Sequence, residues 1–176
     1  MHRLMIVDDE KNVLAALLRV CRGKKLWEIE TYSDPQEALH RAQKTNFDLF
    51  LSDYRMPKMN GVQFLKEIKD IQPDAMRIIL SGQTDREGLM AAINEAEIYR
   101  FLDKPWQDQD VLITLQQALN LQDILSENRI LANQVRKQKR ELVQRKLALD
   151  KYKDRHPDLF KVEWSADGSI ILDNQK

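Results

Sequence analysis

The sequence predicts an α/β domain built on a doubly wound five-stranded parallel sheet, and three observations carry that prediction. Short apolar runs recur near residues 3 to 7, 27 to 32, 47 to 52, 76 to 80 and 98 to 102. Each is followed by a stretch whose apolar residues have helical spacing, so the chain reads as five repeats of strand then helix. Carboxylates close two of these runs: Asp8 and Asp9 follow Leu4-Met5-Ile6-Val7, and Asp53 follows Phe47-Asp48-Leu49-Phe50-Leu51-Ser52. The carboxyl ends of parallel strands lie along one edge, where open sheets bind ligands, so the three acids are expected in one pocket.

Taken in order, the first, third and fourth strands are the most continuously apolar and suit central positions buried on both faces. Trp27-Glu28-Ile29-Glu30-Thr31-Tyr32 alternates as an edge strand does. Leu14, Leu17, Leu18 and Cys21 mark the first helix, and Phe64, Leu65, Ile68 and Ile71 the third, each with i, i+3, i+4, i+7 spacing. The second helix opens at Asp34-Pro35-Gln36-Glu37, an N-cap with proline at the first helical position. Thr84-Asp85-Arg86-Glu87 has the spacing of a capping box for the fourth helix, which Leu89, Ile93 and Ala96 continue. The fifth helix starts after Pro105-Trp106, and no Gly or Pro interrupts the chain from Gln107 until Pro157. Such a helix is longer than a globular core requires.

At 176 residues and 43% hydrophobic content, one core with an appendage is expected. The expected layout is a globular domain over 1–120, a helical extension over 121–155, and a tail over 156–176. In the tail, Phe160 to Leu172 alternates around Asp167-Gly168 and reads as a β-hairpin, or as the opening of a further domain similar to a sensory PAS-like one. The single Cys21 excludes an intramolecular disulfide. No apolar run suits a signal peptide or a membrane span, so a cytoplasmic location is expected. The formal net charge is zero, but residues 136 to 155 carry nine Lys and Arg against three Asp and Glu. A basic helix of this kind suits a solvated coiled-coil face, a nucleic-acid contact or an acidic protein partner.

Three carboxylates held together repel one another, and a hard divalent cation, typically Mg²⁺, offsets them. A metal there invites a phosphoryl group, with Asp53 as the nucleophile and Asp8 and Asp9 holding the ion. Lys104, beyond the fifth strand, supplies a cation for phosphoryl oxygens, and Ser81, at the end of Ile78-Ile79-Leu80, supplies a hydroxyl.

Val7-Asp8-Asp9-Glu10, Asp53-Tyr54-Arg55-Met56-Pro57-Lys58-Met59-Asn60-Gly61, Leu80-Ser81-Gly82 and Asp103-Lys104-Pro105-Trp106 occur in the order seen in response-regulator receiver domains. Over about residues 1 to 120 the chain resembles that family. The resemblance implies a flavodoxin-like strand order 2-1-3-4-5, phosphorylation on Asp53, and Mg²⁺ held by Asp9 and Asp53 with support from Asp8 and the backbone carbonyl of Arg55. It also implies a cis bond between Lys104 and Pro105, a switch hydroxyl at Ser81 and a switch aromatic at Phe101. Asn60 stands where the family commonly has Asp, and Ser81 where Thr is commoner. Asp103 reads as a surface acid and Trp106 as a packing residue.

The implied function is signal relay, with phosphoryl transfer from a sensor histidine kinase or phosphotransfer protein changing dimerisation or the binding of a downstream target. Autocatalytic phosphorylation and dephosphorylation are the only chemistry expected of the chain itself. Leu121, Ile124, Asn128, Leu131 and Val135, continued by Gln138, Leu142, Arg145, Leu149 and Tyr152, alternate three and four apart. That is the a/d spacing of a coiled coil, and Asn128 at an a position favours a parallel homodimer over 121–152. A helix folded against its own domain is the competing reading. Two other functions stay open: the regulatory part of a longer enzyme of cyclic-nucleotide signalling, and a DNA-binding regulator acting through the basic helix. With no helix-turn-helix pattern after residue 120, nucleic acid is not an expected partner.

Overall fold

The computed structural model describes residues 1–82 and 96–157. Among the described residues nine elements follow one another: β1 (His2–Val7), α1 (Lys11–Cys21), β2 (Trp27–Tyr32), α2 (Pro35–Ala42), β3 (Leu49–Asp53), α3 (Gly61–Ile71), β4 (Met76–Gly82), β5 (Arg100–Lys104) and α4 (Asp108–Arg155). The helix expected fifth is therefore the fourth described, α4. The residues that mark the expected fourth helix lie outside the described residues except for Ala96, which is buried. The expected terminal hairpin also lies outside them.

All strand pairs are parallel, in the order β2-β1-β3-β4-β5. The period of two sorts each central strand between two cores. Leu4 and Ile6 of β1 face the cluster built with α1 and α4, while Met5 and Val7 face the cluster built with α2 and α3. Helices therefore cover both faces, which explains why β1, β3 and β4 read as continuous apolar runs.

Local chemistry sets the helix starts. The Asp34 carboxylate accepts a hydrogen bond from the amide of Gln36, ahead of Pro35 in the first turn of α2. Asn60 caps α3 through a reciprocal capping box with Gln63. On α1, Leu14, Leu17 and Cys21 are buried, but Leu18 is exposed, so the buried stripe is narrower than the periodicity implied. Val111, Thr114, Leu115, Ala118 and Leu119 bury one face of the first turns of α4. Beyond Leu121 no described residue of α4 is buried.

Contacts divide the chain into a unit over Met1–Glu127 and a second over Asn128–Lys176. No helix among the described residues is long and apolar enough to cross a membrane.

Candidate functional site

The sheet order reverses between β1 and β3, and that switch point builds the site. Val7 pairs with Ser52, so the next residues, Asp8 and Asp53, emerge side by side at the carboxyl edge. Both are buried, Asp8 fully. On the far side, Asp53 pairs with Leu80 and Gly82 pairs with Lys104. The strand between Asp53 and Lys104 thus carries a residue without a side chain where Lys104 crosses it.

The Lys104 ammonium donates to Asp8 Oδ2 at 2.8 Å and is also ion-paired with Asp53 Oδ1. Asp8 Oδ1 accepts the amide of Glu10 at 2.9 Å, and Asp53 Oδ2 accepts the amide of Arg55 at 2.7 Å. Burial raises the pKa of Asp8, outweighing the Lys104 hydrogen bond and the Glu10 amide, which both favour its charged form. Burial alone would lower the pKa of Lys104, yet the hydrogen bonds to Asp53 and Asp8 outweigh it and the net direction is up.

The β3–α3 loop fixes Asp53 from its own side. Tyr54 donates from its amide to the carbonyl of Leu80 at 2.8 Å, and Gly61 to the carbonyl of Tyr54 at 3.0 Å. A Cβ on Gly61 would fall 2.1 Å from the Asp53 carbonyl oxygen and 3.0 Å from Ser52 Oγ. Gly61 is therefore required by a close approach to the backbone of Asp53. Lys58, in the same loop, has φ 67° and pairs with Asp34 at 3.5 Å.

Of the residues expected at the site, Asp8, Asp53 and Lys104 are in direct contact. Ser81 is buried at the same edge, one residue beyond Leu80, and pairs with Asp103 on β5. Phe101 is half-buried against the α2 and α3 core, and the Lys104–Pro105 bond is cis. Asp9 is exposed, as is Arg55, and among the described residues no three His, Cys, Asp or Glu side chains form a group able to hold a metal. Even so, the donor chemistry fits a hard cation: one ammonium stands between two buried carboxylates and leaves one negative charge uncompensated. Trp106 packs against the α1 and α4 core, and Asp103 is exposed.

Sequence reasoning missed Arg77. Its buried guanidinium donates to the carbonyls of Ala96 and Ala75 at 2.8 Å and of Pro73 at 3.1 Å, and pairs with Glu97 at 3.4 Å. Lys69 of α3 holds the same Glu97 at 2.8 Å. This cluster fastens the corner that leads into β5, the strand that carries Phe101 and Lys104.

A family model described as the response regulator receiver domain matches residues 4–116. The hydrogenase transcriptional regulatory protein HoxA of Cupriavidus necator is 36% identical over 121 residues, which is 69% of this chain and 25% of that protein. The chain thus spans about a quarter of the length of this relative and of the HoxA protein of Bradyrhizobium diazoefficiens. A solved signal receiver domain of an HD domain-containing protein from Pseudomonas fluorescens is 33% identical, with a TM-score of 0.68 over 72% of this chain and 92% of that one. A structure described as an adenylate cyclase from Rhodopirellula baltica is 28% identical, with a TM-score of 0.70 over 75% of this chain and 97% of that one.

Proposed function

The chain belongs to the response regulator receiver family, and from that premise we propose that Asp53 accepts a phosphoryl group from a sensor histidine kinase or phosphotransfer protein. One observation carries the assignment: the Lys104 ammonium lies against both Asp8 and Asp53 at the switch point of the sheet. Members of the family are phosphorylated on an aspartate, generally bind Mg²⁺ at the acidic site, and act in two-component signalling.

In this reading Asp53 Oδ1 attacks phosphorus, forming an acyl phosphate as the donor's bond to phosphorus breaks. The Arg55 amide holds Oδ2, which fixes the rotation of the carboxylate. Lys104 follows the developing charge on the phosphoryl oxygens, and the buried Ser81 hydroxyl donates to one of them. Asp8, Asp9, Asp53 and the carbonyl of Arg55 are the residues that would hold Mg²⁺. When bound, the ion supplies positive charge to the transferred group. Phe101 changes its degree of burial as Ser81 is drawn in, altering the surface offered to partners.

The proposed layout is a receiver over 1–120, a helical extension over 121–155 and a tail over 156–176, in a cytoplasmic protein. The extension associates as a parallel homodimer over 121–152. A second reading makes the chain the regulatory part of a longer output protein, supported by the solved neighbour described as an adenylate cyclase and by relatives that are transcriptional regulators. The length of the natural open reading frame separates these readings. Salt-sensitive binding of duplex DNA by the chain would favour a transcriptional output.

Intact-mass measurement after treatment with acetyl phosphate, with and without Mg²⁺, tests the chemistry. A Mg²⁺-dependent phosphoryl gain on the native chain that is absent from Asp53→Asn is expected. An equal gain on the variant would move the acceptor elsewhere.

A further inference from the structure

The exposed half of α4 carries its own specificity information. Leu131, Val135 and Leu142 are 51%, 61% and 65% exposed, so three seam residues stand in water on a continuous helix. With Leu121, Asn128, Val135, Leu142 and Leu149 at a, the e positions of the second half are Lys139, Lys146 and Lys153, and Glu127 and Glu141 stand at g. In a parallel pair each g residue faces the e residue five further along the other helix, so Glu141 meets Lys146 of the second copy, twice over. In an antiparallel pair e faces e and g faces g, which opposes lysine to lysine and glutamate to glutamate. The paired Asn128 layer therefore sets a parallel second copy over the first half, and charge complementarity favours the same arrangement once the distal half closes.

The two halves of that seam differ. Up to Val135 the core positions are Leu121, Ile124, Asn128, Leu131 and Val135. Beyond it the d positions are Gln138 and Arg145. A d residue packs among the a and e residues of the other helix, so both copies of Arg145 gather with both copies of Lys146 in one layer. Glu141, four residues before Arg145, and Asp150, four after Lys146, offset charge within each helix, yet residues 136 to 155 carry nine Lys and Arg against three Asp and Glu, so each copy brings a net +6 to the distal half. No described residue faces these side chains from another element, and the whole stretch is exposed.

We infer that α4 recognises a second copy of this chain in two parts: a seam over 121–135 that stays closed, and a seam over 138–152 that the Arg145 and Lys146 layer holds open until its charge is screened or neutralised. The inference rests on the parallel homodimer reading above and adds its regulation. Because the uncompensated charges are close and solvent-exposed, the distal half responds to ionic strength. The Debye length falls from about 30 Å at ~0.01 M salt to about 3 Å at ~1 M.

The test uses the full chain with Cys21→Ser, to which Val135→Cys or Leu149→Cys is added singly, followed by mild oxidation. Residues at a lie opposite their own copies only in a parallel, in-register pair. The expected result is cross-linking of Val135→Cys at every salt concentration. Leu149→Cys should cross-link several-fold more at high salt than at low salt, and adding Arg145→Leu should make it cross-link equally at both. Thermal melting of each variant establishes that the receiver is folded. A chain that sediments as a dimer but cross-links at neither position would overturn the parallel orientation. Salt-independent cross-linking at Leu149→Cys would overturn the conditional distal half. A monomer at every salt concentration would remove the homodimer itself, and with it this inference, while phosphoryl uptake on Asp53 would be untouched.

Discussion

The ammonium of Lys104 sits 2.8 Å from Asp8 Oδ2 although 96 residues separate the two in sequence, and the same ammonium is paired with Asp53. One cation thus holds the carboxyl ends of β1, β3 and β5 together. Lys104→Met leaves two buried carboxylates facing each other, and a loss of about 2 kcal/mol in urea unfolding at neutral pH is expected. Added Mg²⁺ should return part of that loss to the variant, because a bound cation then offsets the same charges. The sign for the native chain follows from the raised pKa of Lys104. Its contribution is fully present below the ordinary lysine value and is lost as pH rises through the higher folded value. In a pH series on native and variant chains the difference should therefore hold up to the ordinary lysine value, about 10.4, and begin to narrow only above it.

Asp8→Asn is expected to stabilise the fold while weakening phosphoryl uptake. Burial raises the Asp8 pKa, so folding favours the protonated acid. Asp8 therefore costs nothing at a pH below its ordinary value, destabilises progressively between that value and the raised one, and imposes its full cost above it. At pH 7 the variant removes a buried charge and leaves Lys104 paired with Asp53. A gain in Tm of about 2–4 °C is expected from ~1 kcal/mol, vanishing near pH 4. A lower Tm for the variant at pH 7 would show that the Lys104 bond outweighs the burial.

Much of the architecture was legible because burial leaves a period in the sequence. Continuous apolar runs at β1, β3 and β4 announced central strands, and the acids that close β1 and β3 announced the edge where they meet. Strand boundaries were less legible, since apolar residues record burial rather than pairing. Phe47 and Asp48 precede β3, and Asp48 turns its carboxylate to the amide of Arg3 at 2.7 Å. Ile98 is buried in the corner before β5 without belonging to that strand. Arg77 was illegible: a single arginine within Met76-Arg77-Ile78 carries no mark of the carbonyl of Ala96, which lies 19 residues away. The capping box of Asn60 and Gln63 was present in the spacing and went unread beside the stronger motif that contains Asn60.

Gly61→Ala should damage the site more than the fold. The added methyl meets the carbonyl oxygen of Asp53, a backbone atom that cannot step aside as the end of a side chain does. Either α3 retreats or β3 shifts, at about 1–3 kcal/mol. Displacement of Asp53 relative to Lys104 is expected to slow uptake from acetyl phosphate roughly 10- to 100-fold. Intact-mass time courses read the rate and urea midpoints read the stability. A variant that loses stability but labels at the native rate would show that the loop yields without moving Asp53.

Arg77→Met separates the guanidinium's hydrogen bonds from its volume. Burial pulls the Arg77 pKa down while Glu97 opposes it, and the group's main partners are backbone carbonyls. Methionine fills a similar space but leaves the carbonyls of Ala75 and Ala96 without that donor. A loss of about 2–3 kcal/mol with an unchanged m-value is expected. Glu97→Gln should shift the urea midpoint little, because Glu97 is largely exposed and the carbonyl bonds of Arg77 remain. If the two variants lost equal stability, the ion pair would be the source of the anchor, and the corner before β5 would then loosen at high salt. If Arg77→Met alone is costly, the carbonyl bonds hold that corner, and native stability should be insensitive to salt over the same range.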